Sequence, residues 1–128
     1  MSETINLNAT ISVPNGPKVS VTRSLTVDAY DKFDIDVPDG TSGMEVQLQV
    51  GGSEEISFLL VAANPYHEDL SYKVNSGTTV RKLDQPHLLT GVGAVSMLDQ
   101  SPQKLIFGNA SGQNARIQIL IGRNVTPP

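Results

Sequence analysis

The chain has 128 residues with 9 basic and 13 acidic side chains, a net charge of −4, and no cysteine or tryptophan. That length suits one domain, residues 1–128, with a hydrophobic core of its own. Lack of cysteine excludes disulfides, thiolate nucleophiles and cysteine-ligated zinc, and an acidic chain without a run of Lys or Arg speaks against nucleic-acid binding.

The opening, MSETINLN, has neither a basic nor an apolar leader region, so the chain is expected to stay in the cytoplasm that makes it. Ile5, Leu7, Ala9, Ile11 and Val13 then alternate with polar residues, the period of a strand. PNGP (Pro14 to Pro17) is a turn. Val19, Val21, Leu25 and Val27 resume the alternation, interrupted by Arg23. Phe33, Ile35 and Val37 alternate with aspartates until PDGTSG breaks the strand. Met44, Val46, Leu48 and Val50 follow, up to GGSEE.

The run ISFLLVAA (Ile56 to Ala63) is apolar on both faces and too short to cross a bilayer. Past NPYHED come Leu70, Tyr72 and Val74, then a weak strand over Val80 to Leu83, stopped by Pro86. LLTGVGAVSML (Leu88 to Leu98) reads as a strand carrying Gly91 and Gly93, since glycine inside a strand marks a bulge or a close backbone approach. Leu105 and Phe107 form a short strand, NASGQN a turn, and Ile117, Ile119 and Ile121 share one face of the last strand. Both chain ends are expected to be loose.

No segment carries a helical stripe. Eight or nine short strands about ten residues apart indicate an all-β, two-sheet sandwich of the jelly-roll kind. An immunoglobulin-like sandwich is the alternative, without that family's buried Trp and paired Cys.

Chemical motifs are few. Gly91-Val92-Gly93-Ala94-Val95-Ser96 approaches a dinucleotide loop, but Ser96 stands at the third glycine and Pro102 leaves no room for a useful helix. Asp34, Asp36 and Glu45 echo a calcium loop, yet Pro38 and Gly40 occupy the wrong positions and the lead-in is a strand. His67 lies in a charged turn with Glu68 and Asp69, and His87 has no partner near it in sequence, so no acid–base pair is legible. No cofactor is expected. Sugar faces stack aromatics. Only Tyr30, Tyr66 and Tyr72 are available, with Tyr72 expected in the core and Tyr66 exposed. Asn8, Asn109 and Asn124 fit the glycosylation triplet, which means little without a leader.

Charged residues are 17% of the chain, against about 25% in ordinary globular proteins, which suits a surface covered by partners. Leu59 and Val61 face opposite to Phe58 and Leu60, so both faces of that strand need cover. With its apolar stretches ISFLLVAA, HLLTGVGAVSML and RIQILIGR, the chain resembles in overall character the decoration or cement proteins of tailed-bacteriophage virions. The resemblance implies a non-enzymatic protein that stabilises a capsid or similar protein assembly, sits in the virion after synthesis in the host cytoplasm, and forms a homo-oligomer, most simply a trimer. Leu59, Val61, Gly91 and Gly93 are the residues expected to meet the partner. A carbohydrate-binding or adhesin-like module is the alternative.

Overall fold

A computed structural model describes residues 2–48, 54–98 and 102–125. Strands β1 (Glu3–Ser12) and β2 (Lys18–Val27) form a hairpin of their own. The other strands are β3 (Ala29–Val37), β4 (Thr41–Gln47), β5 (Glu54–Asn64), β6 (Leu70–Val74), β7 (Arg81–Lys82), β8 (His87–Thr90), β9 (Lys104–Asn109) and β10 (Ala115–Val125). They build two four-stranded sheets, ordered β3-β10-β5-β8 and β4-β9-β6-β7. Four antiparallel pairs nest inside one another: β3 with β10, β4 with β9, β5 with β8 and β6 with β7. Winding one long hairpin into two layers produces this nesting. The all-β sandwich expected from the sequence is what forms.

Period two does the sorting. Ile117, Ile119 and Ile121 on β10 point inward and are buried, in one core with Leu59 and Val61 from their own sheet and Leu70, Tyr72, Leu105 and Phe107 from the other. Leu59 and Val61 thus fill this chain's own core and offer nothing to a partner, contrary to the sequence expectation. At Phe58 the other face of β5 is also covered from within the chain, whereas Leu60 and Ala62 on that face are half-buried. A Cβ on Gly122 would lie 2.8 Å from Val27 Cγ1, 2.9 Å from Ile5 Cδ1 and 3.3 Å from Phe58 Cβ. The root of the β1–β2 hairpin therefore closes over Gly122 and Phe58, which are register partners on β10 and β5.

Leu88 to Leu98 is not one strand. β8 stops at Thr90, Gly91 turns the chain at φ 92° and ψ 156°, and a single helical turn α1 (Val92–Val95) runs into a 3-10 turn (Ser96–Leu98). Ser96 Oγ donates to the Gly93 carbonyl at 2.6 Å, a bond within the turn that competes with extended backbone. The weak strand near Val80 shrinks to Arg81–Lys82. Val50, the GGSEE turn up to Ser53, the start of DQSPQ and the expected loose ends at Met1 and 126–128 lie outside the described residues.

One buried polar side chain ties the layers. Asn109, at the end of β9, donates through Nδ2 to the carbonyl of Val37 on β3 at 2.8 Å, crossing between sheets, and to the Gln113 carbonyl at 2.8 Å. Its Oδ1 accepts from Ser111 N at 3.0 Å and Ser111 Oγ at 2.7 Å. Removing one partner of a buried hydrogen bond leaves the other unsatisfied, about 1–3 kcal/mol per group. Asn109→Ala is therefore expected to lose roughly 2–3 kcal/mol in urea unfolding; an unchanged midpoint would show that water replaces the amide.

Candidate functional site

Two features stand out from the sandwich. The first is the β1–β2 arm. Its register pairs Ile5 with Leu25, Leu7 with Arg23, Ala9 with Val21 and Ile11 with Val19. Directly opposed residues share a face, so one face of the ribbon is apolar apart from Arg23 and, at the root, Glu3 opposite Val27. The other face is threonine, asparagine and serine, with Lys18 at its tip, and Ser24 Oγ donates to Asn6 Oδ1 across it at 2.9 Å. A tight loop closes the end, with Gly16 N donating to Val13 O at 2.8 Å and Val13 N to Pro17 O at 2.9 Å. Near the root the apolar face is covered, since Val27 is buried. Toward the tip it is open: every residue from Thr10 to Ser24 is exposed, including Ile11 at 64%, Val13 at 55%, Val19 at 56% and Val21 at 38%.

The root holds by more than packing. Asp28 N donates to the Arg123 carbonyl at 2.9 Å and lies 3.2 Å from Asn124 Oδ1. Arg123 Nη2 meets Asp31 Oδ2 at 2.9 Å.

The second feature is a cleft of about 350 Å³ where β6, β7 and β8 meet the 3-10 turn, lined by Tyr72, Arg81, His87, Leu88, Met97 and their neighbours. Tyr72 OH and His87 Nδ1 are 2.6 Å apart, with the rings edge to face at 5.4 Å. Arg81 Nη2 reaches the Leu98 carbonyl at 3.4 Å. Two of the lining residues are exposed apolar side chains, Leu88 and Met97, the latter 71% exposed. Sequence reading placed Tyr72 in the core, correctly, but missed its pairing with His87, because fifteen residues separate them and no local pattern links them.

The remaining sequence candidates disperse. Nothing lies within 4 Å of a Cβ built on Gly91 or Gly93, so within the chain neither glycine serves a close approach; Gly122 does. Gly91 to Ser96 holds a helix of only one turn. Asp34, Asp36 and Glu45 do not converge: Asp34 faces Lys32 at 3.4 Å, Asp36 faces Arg116 at 3.3 Å and Glu45 faces Lys104 at 3.1 Å. Among the described residues no group of three or more His, Asp or Glu could hold a metal, and no helix is long and apolar enough to cross a membrane. His67 Nδ1 accepts from Asp69 N at 2.9 Å, a turn contact. Tyr66, expected exposed, packs against the core, and Tyr30 is the exposed tyrosine. Of the three glycosylation triplets, Asn8 lies on the arm, Asn109 is buried, and Asn124 reaches Ser57 Oγ at 3.4 Å.

Burial pushes the Tyr72 phenol up to about 12 from its ordinary 10.0, against the lowering effect of the Arg81 charge. The unfolded chain therefore releases this proton before the folded one does. Its contribution to stability is full below pH 10 and is lost as the pH rises toward 12, on the order of 2–3 kcal/mol at about 1.4 kcal/mol per pH unit. Tyr72→Phe lacks this group, so its stability relative to wild type should rise between pH 10 and 12 in alkaline denaturant titrations. Parallel wild-type and variant curves would contradict the assignment.

Compared with protein-family models, curated proteins and solved structures, the chain has no match in any of the three.

Proposed function

We propose that this protein is a non-enzymatic structural component that joins and stabilises a larger protein assembly, of the virion decoration or cement kind, and that it attaches through the β1–β2 arm. The observation that carries this is the open apolar face at the arm's end. Ordinary surfaces scatter their exposed apolar residues singly, whereas here Ile11, Val13, Val19 and Val21 lie together on one ribbon face.

Magnitudes favour an assembly over an isolated pair. Full burial of a Val or Ile side chain is worth roughly 1.5–3 kcal/mol. These four are about half exposed, so covering them yields roughly 3–6 kcal/mol in all. Association costs about 4–15 kcal/mol. One arm contact is thus near break-even, and repeated contacts in a multivalent array supply the rest. The nested strand pairing supports the jelly-roll reading, a frame that capsid and lectin domains both use; as fold analogy it does not choose between them. The carbohydrate reading loses support because Tyr66 packs inward, leaving no exposed tyrosine pair.

The test is electron microscopy of particles from the native source, labelled with antibody to this chain. Regularly spaced label on the particles is expected; unlabelled particles, with all of the protein free, would overturn the proposal. Changing Ile11, Val13, Val19 and Val21 together to Thr keeps the β-branched shape. That variant should keep its fold, with no more than about 0.5 kcal/mol lost per surface substitution, yet fail to incorporate.

A further inference from the structure

We infer that the cleft where β6, β7 and β8 meet the 3-10 turn is a binding site for a small organic acid, an anionic head on a short apolar body such as a medium-chain fatty acid. The inference goes beyond the attachment reading and does not depend on it. The chain as a whole is acidic, with 13 acidic against 9 basic residues, yet the cleft inverts that balance. The described residues that line it include Arg81 and His87 and no carboxylate, with Leu88, Leu89, Met97 and Leu98 supplying the apolar part. A few polar groups set in a mostly apolar concavity are the ordinary make-up of a small-molecule site.

The polar end is held in place by the fold. Tyr72 is buried, and its hydroxyl lies 2.6 Å from His87 Nδ1. A buried hydroxyl needs an acceptor. With the phenol donating to Nδ1, the imidazole proton sits on Nε2 and the ring is a donor there. Arg81 lies near enough for its charge to act on the Tyr72 phenol. It already reaches the Leu98 carbonyl, so what it lends an anion is charge, not a vacant N–H. A carboxylate accepts from the imidazole N–H and is stabilised by the guanidinium charge. An ammonium group is repelled by that charge, and a neutral head gains only the hydrogen bond.

The apolar end fits a short body. The cleft holds about 350 Å³, near the lower end of the roughly 300–1,000 Å³ that small-molecule sites span. That suits one short chain or ring better than a polypeptide segment. Leu88 and Met97 stand exposed in its wall. Covering them gains hydrophobic stabilisation, and Met97, unbranched and polarisable, adapts to the shape that arrives. Charge fixes one end of the ligand and apolar cover the other, so a molecule lacking either half loses affinity.

Octanoate is the probe. The chain has two histidines and three methionines, so their ring and methyl signals are few enough to follow one by one in nuclear magnetic resonance spectra. Titration of the full chain should shift the His87 ring and Met97 methyl signals saturably and leave those of His67 and the half-buried Met44 in place. Octanol and octylamine carry the same body and should each bind about tenfold more weakly, since a charge-assisted hydrogen bond is roughly twice as strong as a neutral one. Met97→Glu brings a carboxylate to the cleft wall and should weaken octanoate by a similar factor, read at His87. Met97→Lys, whose stem keeps the apolar contact, should bind octanoate as tightly as wild type. Met97 is exposed, so both variants should keep the wild-type circular dichroism, and the octanol and octylamine arms decide the matter in wild type however the variants fold. No saturable shift at His87 and Met97, an equal response at His67 and Met44, octanol or octylamine binding as tightly as octanoate, or equal affinity in folded Met97→Glu and Met97→Lys would each overturn the inference.

Discussion

The structure depends on the inward face of β10. Ile117, Ile119 and Ile121 are fully buried there, and because side chains alternate, their direction dictates everything on the strand's other face. A slip of one residue would turn all three isoleucines out, so the register is firmly held. With it held, Gly122 must face outward, beside Phe58 of β5. The register shifts between Gly122 and Arg123, an irregularity that bends a strand locally. There the sheet's outer surface is low enough for Val27 and Ile5 to settle on backbone. A side chain there would collide with both. The arm's root is therefore a consequence of how the core is filled.

From that root the ribbon runs into solvent. An isolated two-stranded hairpin is marginal in water, so the arm's order draws on its anchored end, where Asp28 and Arg123 continue the hydrogen bonding into the sandwich. Its outer half has cross-strand pairs and a polar face of Thr, Asn and Ser, but no second layer. In the sandwich each apolar face meets another, and in the arm it does not. The low charge content of the chain has the same physical meaning. Threonine and asparagine are cheap to desolvate beside lysine and glutamate, and the arm is where they concentrate.

Much of this was legible in the sequence because period two is a direct consequence of strand geometry. The strand alternations, the Ile117 to Ile121 face and the core position of Tyr72 all follow from it. What periodicity does not carry is the identity of the covering layer. Ile5 to Val13 reads the same whether a sheet of the same chain covers it or nothing does, so the arm looked like one more sandwich strand. Leu59 and Val61 show the opposite case: a strand apolar on both faces suggests a partner, yet both fill the chain's own core, and at Phe58 the second face is covered by the chain's own hairpin root. Gly91 and Gly93 suggested close approach, yet Gly91 supplies a positive φ at a strand end and Gly122, unremarked within RIQILIGR, supplies the contact. Tyr72 and His87 meet only because β6 and β8, in different sheets, converge at one end of the sandwich, a tertiary fact with no local signature.

In the attachment proposed above, Arg23 would make the arm more than an adhesive strip. Apolar side chains accept any apolar cover, so Ile11, Val19 and Val21 carry little discrimination. A guanidinium among them changes the requirement, because its five N–H donors lose water when the face is covered. Leaving them unmatched is strongly destabilising, and satisfying them in good geometry roughly offsets the desolvation. The charge therefore adds little affinity, while it rejects surfaces that lack a carboxylate or a carbonyl at the matching place. A purely apolar patch is rejected on those terms, and so is a basic one. In that attachment the apolar pairs would supply the attraction, and the interruption of the strand pattern at position 23 would supply the selectivity.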